Sequence, residues 1–192
     1  GIRVSDPTGM RFKTRFSKDY YDELTTTDAS LFVAIFPYAD YSAYQVSNKD
    51  MPDWLEEKYG SGKYINIEIS EESFYTIAED DCYYANAVIS NLYFNNYHRE
   101  FVGISYIRRG TAGAYSYEYT TITEEDNARS IYEVVCKANM DAEDHAKYGD
   151  TLEVMIKNGL YGAYGVSYDK NTKTYSLGGN TYTSIEQIEA NV

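Results

Sequence analysis

Alternation of apolar and polar positions marks much of this chain as β-structure. Met10, Phe12, Thr14 and Phe16 alternate with Arg11, Lys13 and Arg15. That pattern predicts a strand with one apolar and one basic face. Ile65, Ile67 and Ile69 alternate with Asn66 and Glu68, as a half-exposed strand does. Residues 31–36 are an unbroken apolar run that stops before Pro37, which predicts a buried strand. The chain is organised around residues 83–109, where two β-like runs, 85–90 and 99–108, are joined by an Asn-rich connection. In the second run Val102, Ile104 and Tyr106 alternate with Phe101, Gly103, Ser105 and Ile107. Both sets are substantially apolar, which places this strand in the middle of a sheet. Gly110 to Gly113 then predicts a hairpin turn into a strand over 114–121, with Tyr115, Tyr117 and Tyr119 on one face.

The helical period appears in fewer places. Ser17 predicts an N-cap for a short helix through Leu24, with Asp19 in its first turn. Residues 39–53 are polar and irregular. From Pro52 a two-turn helix carries Trp54 and Leu55 and ends at Gly60. Thr123 is placed to cap a helix whose first turn holds Glu124, Glu125 and Asp126. This helix should run over 125–140, with Ile131, Val134, Val135 and Ala138 as its apolar stripe. Beyond it, 151–157 is helical, Asn158-Gly159 supplies a stop, and three short strands follow near 165–168, 172–177 and 181–183. Ser184 caps a last helix with Ile185 and Ile188. The expected fold is α+β and mainly antiparallel. A two-sheet, sandwich-like domain covers 1–140, with the 125–140 helix packed on one sheet. A small C-terminal α/β appendage, a helix plus a β-meander, covers 141–192.

Composition narrows the function classes. Against 17 Lys+Arg stand 30 Asp+Glu, a formal net charge of −13. Nucleic acid and anionic membrane surfaces are therefore poor partners. No apolar run approaches the ~18 residues of a membrane span. Tyrosine is in excess, 23 against 7 Phe and 1 Trp. Tyr suits half-buried pleated positions, with an apolar ring and a wet hydroxyl. The acidic, Tyr-rich balance fits a secreted bacterial β-protein. Cys82 and Cys136 match no zinc or redox spacing and are either one disulfide or two free thiols. The opening Gly-Ile-Arg-Val reads as that of a processed or excised segment.

Three segments together carry a resemblance. They are Gly9-Met10-Arg11-Phe12-Lys13-Thr14 with Ser17-Lys18-Asp19-Tyr20-Tyr21-Asp22-Glu23-Leu24, then Tyr97-His98-Arg99-Glu100-Phe101-Val102 with Tyr106-Ile107, then Asn127-Ala128-Arg129-Ser130-Ile131-Tyr132-Glu133-Val134. In this order the chain resembles an uncharacterised module of large secreted or surface proteins of anaerobic gut bacteria, found among immunoglobulin-like and other repeat domains. Gly103-Ile104-Ser105 departs from that module's usual Ala-Arg-x. The resemblance spans roughly residues 1–140. It implies an extracellular or cell-surface location, neighbouring domains in a longer chain, and a non-enzymatic role. No assigned activity comes with it, so no functional residue is carried over.

Candidate chemistry is sparse. Tyr115, Tyr117 and Tyr119 recur at roughly 6.6 Å, twice the strand rise, which suits stacking of successive sugar rings. The competing reading is a tyrosine face packed under the Ile131 to Ala138 helix. Arg99, Glu100 and Arg129 are candidates for a structural ion pair tying helix to sheet. The clustered carboxylates, such as Glu79, Asp80 and Asp81, or Asp141, Glu143 and Asp144, read as solvated charge. They leave open one cofactor, a structural Ca²⁺ ion, although no EF-hand spacing is present. His98 and His145 accompany no G-x-S-x-G elbow. The expectation is a non-catalytic module with an adhesion, interaction or spacer role, meeting another protein or a glycan at the cell surface. The alternative is a carbohydrate-binding module using the tyrosine face.

Overall fold

The computed structural model describes residues 1–122, 127–169 and 171–191. The chain divides into two compact units. The first comprises Gly1, Arg11–Val88 and Glu100–Ala128, and the second Ile2–Met10, Ile89–Arg99 and Arg129–Val192. Three sheets, mainly antiparallel, combine with helices in an α+β fold, as the periodicities predict.

In the first unit, β3 (Ser30–Pro37) lies between β4 (Ile65–Ile69) and β7 (Phe101–Arg109), and β8 (Ser116–Tyr119) closes the far edge. All three pairings are antiparallel. The six residues from Leu31 to Phe36, and Phe101 to Ile107, are buried. This is the two-sided burial expected of the central runs. Phe32, Ala34, Phe36, Val102, Ile104 and Tyr106 form one core with Met51, Trp54 and Leu55 of α3 (Met51–Tyr59). The opposite face meets a second sheet that contains β2 (Gly9–Phe16), β6 (Asp80–Ser90) and β5 (Tyr75–Ile77). There the Thr14 and Ser105 hydroxyls are hydrogen-bonded in a buried site. A Cβ on Gly103 would lie 2.4 Å from the Phe12 ring, so glycine lets the two sheets approach. The two β-like runs read as neighbours in sequence, β6 and β7, thus belong to different sheets.

α1 (Lys18–Thr26) begins after Ser17, whose side chain makes no cap hydrogen bond. α3 ends at Gly60, whose φ of 86° favours glycine. The segment read as irregular contains α2 (Tyr41–Ser47). Its Tyr44 ring lies 5.2 Å from Trp54 and 6.3 Å from Phe36. Seven residues are too few to hold a helix alone, so packing supplies what local sequence does not.

In the second unit β1 (Ile2–Arg3) pairs with the start of β2, Ile2 opposite Met10. Within the range expected as one helix over 125–140, the helical path is interrupted at 128–130, and α4 covers Ile131–Met140. Ala128–Arg129 are extended as β9, and the Ser130 hydroxyl caps α4 by accepting the Glu133 N–H. The predicted Thr123 cap and its acidic turn lie outside the described residues. Ile131, Val135 and Ala138 are buried as the stripe requires. Asp141 then caps α5 (Ala142–Ala163), accepting from the Glu143 and Asp144 N–H groups. α5 runs through the Asn158-Gly159 stop because Gly159 is a packing position. A Cβ there would meet the Tyr132 ring at 2.3 Å. The antiparallel meander follows as β10 (Ser167–Asp169), β11 (Thr174–Leu177) and β12 (Asn180–Tyr182). α6 (Ile185–Glu189) ends the fold, capped by the Ser184 hydroxyl on the Gln187 N–H. Phe94 packs against the neighbouring rings of Tyr168, at 6.0 Å, and Tyr175, at 5.8 Å, which lie 4.8 Å from each other.

Candidate functional site

β8 and the residue just before it, Tyr115, carry the three candidate tyrosines of the first unit. Antiparallel register sets Tyr119 opposite Tyr106 and Tyr117 opposite Arg108. Cross-strand partners share a face, so this row joins the core that α3 covers. Tyr119 lies 5.2 Å from Tyr106 and 6.4 Å from Tyr44, ring to ring. Its hydroxyl accepts the Met51 N–H at 2.9 Å and donates to Asp50 Oδ1 at 3.4 Å. The Met51 N–H is one of the orphan donors at the start of α3, and Asp50 makes no side-chain cap there. A tyrosine from the sheet thus performs the capping that the local sequence does not.

Exposure then grows along β8. Tyr117 is half-buried, edge-on to Tyr106 at 5.9 Å and stacked on Tyr119 at 6.3 Å. Tyr115 is 38% exposed, and the Arg108 guanidinium lies between its ring, at 4.4 Å, and that of Phe32, at 4.7 Å. The Tyr115 and Tyr117 rings are inclined at 59°. The row is therefore not a flat platform. What covers Tyr119 is Tyr44 and the start of α3, whereas the helix anticipated for that role, α4, belongs to the other unit and packs against α5.

The electrostatics agree with packing. Burial pushes the Tyr106 and Tyr119 hydroxyls well above the ordinary tyrosine range, and raises Tyr44 too. Among the described residues, the carboxyls with a shift go the other way. Arg15, then Tyr84, hold Asp80 well below the usual carboxylate range, and the Asn171 and Thr172 N–H groups lower Asp169. Arg109 lowers Glu23, and Tyr20 followed by Arg109 lowers Glu118. Arg109 makes a fork to Glu23 through Nε and Nη2, the latter at 2.9 Å, while Nη1 reaches Glu118 at 2.7 Å.

That cluster predicts an acid response. Carboxyls held low in the folded state stabilise the fold above their unfolded value, roughly 4.3 for Glu. The contribution is lost as pH falls through the folded value. Replacing Arg109 with methionine removes the cause. Urea unfolding should then show lower stability near neutrality and a smaller loss on acidification below about pH 4. An unchanged acid response would show that Arg109 does not set these carboxyls.

The other candidates do not converge. Arg99 and Glu100 are exposed, and among the described residues neither makes a side-chain ion pair. Their backbones are used instead. The Arg99 N–H donates to the Asn96 carbonyl, and the Glu100 carbonyl accepts from the Tyr38 N–H. Arg129 Nε lies 3.7 Å from Glu133, at (i, i+4) spacing. Cys82 and Cys136 are free thiols, one in each unit. His98 Nε2 donates to the Gly159 carbonyl at 3.0 Å over the Tyr132 ring, and His145 pairs with Asn139. Among the described residues no three His, Cys, Asp or Glu side chains gather around a point that could hold a metal ion. No helix among them is long and apolar enough to cross a membrane. Periodicity missed the Arg109 cluster because Glu23 is 86 residues away in sequence. The readable part was the diagonal pairing of Arg109 with Glu118 across the β7–β8 hairpin. Searches of family models, curated proteins and solved structures found no match.

Proposed function

We propose that this chain is a non-catalytic interaction or spacer module of a secreted or cell-surface bacterial protein. The carrying observation is the Tyr119 hydroxyl on the Met51 N–H, with its ring against Tyr44 and Tyr106. The tyrosine row is thereby committed to holding helix to sheet. A sugar platform needs open aromatic faces, and Tyr117 and Tyr119 spend theirs on each other and on the core. The surface location rests on the resemblance and on the acidic, tyrosine-rich composition.

The partial exposure of Tyr115, whose ring carries Arg108 on one side, favours the second reading, a carbohydrate-binding module. A glycan-array screen of the chain, beside a folded Tyr115→Ala, Tyr117→Ala double variant, separates the two. We expect no glycan whose retention depends on these rings. Reproducible binding that the double variant loses would establish the carbohydrate reading instead.

A further inference from the structure

The first unit has an unfinished edge. β4 ends the order β4-β3-β7-β8, so among the described residues it has a strand partner on one side only. Such an edge presents unpaired N–H and C=O groups along its length. Ile65, Ile67 and Ile69 alternate along it, Ile65 being 37% exposed. Beside its end opens a cleft of about 460 Å³. Leu24, Leu31, Ile69 and Phe74 supply apolar lining, Glu68 and Glu71 are the charged residues on its border, Glu68 from the strand face opposite to Ile69, and no Lys or Arg lines it. The cleft suits a side chain with an apolar stem and a cationic head.

We propose that β4 binds an extended, basic segment of a partner protein by strand addition, with a lysine or arginine side chain entering this cleft. The inference deepens the interaction-module reading and rests on it. Residues opposite one another across a new strand pair share a face. The partner residue opposite Ile69 is therefore directed to the cleft side. Backbone pairing supplies the attachment and the alternate side chains the choice of partner. Charge selects against self-association. A second copy, with net charge −13, would bring its own acidic strand to Glu68 and Glu71.

The test uses the whole chain and a labelled peptide of alternating Val and Thr with one central Lys. Control peptides carry Glu or Ala at that position, and hexylamine serves as the free cation. Fluorescence anisotropy should show binding of the Lys peptide, with amides of β4 slowed in hydrogen exchange. A Glu68→Gln, Glu71→Gln double variant changes two exposed side chains and should weaken binding about tenfold. Absent binding, equal binding of the Glu peptide, or binding without protection of β4 would each overturn the proposal. So would hexylamine displacing the peptide at equal concentration, or sedimentation showing a dimer that the peptide dissociates. Recovery of a cleaved peptide would overturn the non-catalytic reading instead, and mass spectrometry separates that outcome.

Discussion

Replacing Trp54 with alanine should cost the first unit about 3–5 kcal/mol, the range for emptying a buried large aromatic site. The indole is 5% exposed and faces three rings: Phe36 at 4.9 Å, Tyr44 at 5.2 Å and Tyr59 at 5.8 Å. The loss is larger than one cavity suggests, because α2 is attached through the same rings. Tyr44 joins Phe36, Trp54, Tyr41 and Tyr119. Without Trp54, a seven-residue helix keeps too little packing to offset its ordering entropy. Amide hydrogen exchange should therefore rise first over α2 and the start of α3, with β3 and β7 still protected. This is the chain's single tryptophan, so circular dichroism must follow the unfolding. Uniform loss of protection across the first unit would refute the local account.

Replacing Gly162 with alanine is the second large effect, and its sign decides a competition. In a helix, alanine is favoured over glycine by about 1 kcal/mol. At Gly162 a Cβ would stand 1.9 Å from the Phe94 carbonyl oxygen and 2.3 Å from its carbon. Those are backbone atoms of a 3₁₀ turn, which no rotamer change removes. Overpacking typically costs about 1–3 kcal/mol and more where backbone must move, so it outweighs propensity. The Phe94 stack on Tyr168 and Tyr175 should loosen with it. Gly149 in the same helix is the control. There the atoms nearest a Cβ belong to the His145 ring, at 3.3 Å, an exposed side chain that can shift where a backbone carbonyl cannot. Gly149→Ala should be neutral or stabilising by up to about 1 kcal/mol. Equal effects at the two sites would mean that propensity, not the Phe94 contact, governs the helix.

The parts of the fold legible in sequence are those whose periodicity matches their own burial. β2, β3 and β7 alternate, or run apolar, because their faces meet fixed neighbours. α3 carries its own stop at Gly60, and α4 its stripe from Ile131 to Ala138. What sequence concealed depends on distant partners. α2 has no apolar stripe, since tyrosines make its contacts. Gly159 resembles a helix stop locally but gives Tyr132 room. The 128–130 segment looks helical until Ser130 takes the cap of α4. The shared face of Tyr115, Tyr117 and Tyr119 was legible, but its covering was not. Nothing in the spacing of β8 says that Tyr119 will satisfy an N–H 68 residues earlier in the chain.

The central claim, that the tyrosine row belongs to the fold, is tested most directly by the unfolding free energy of a Tyr119→Ala variant. Half-buried, hydrogen-bonded and stacked, this side chain should be worth about 2–3 kcal/mol, part of it from the Met51 N–H left without its acceptor. A loss of that size, with the start of α3 exchanging faster, is the predicted result. Unchanged stability would contradict it and return the row to the surface, as a face kept for a ligand.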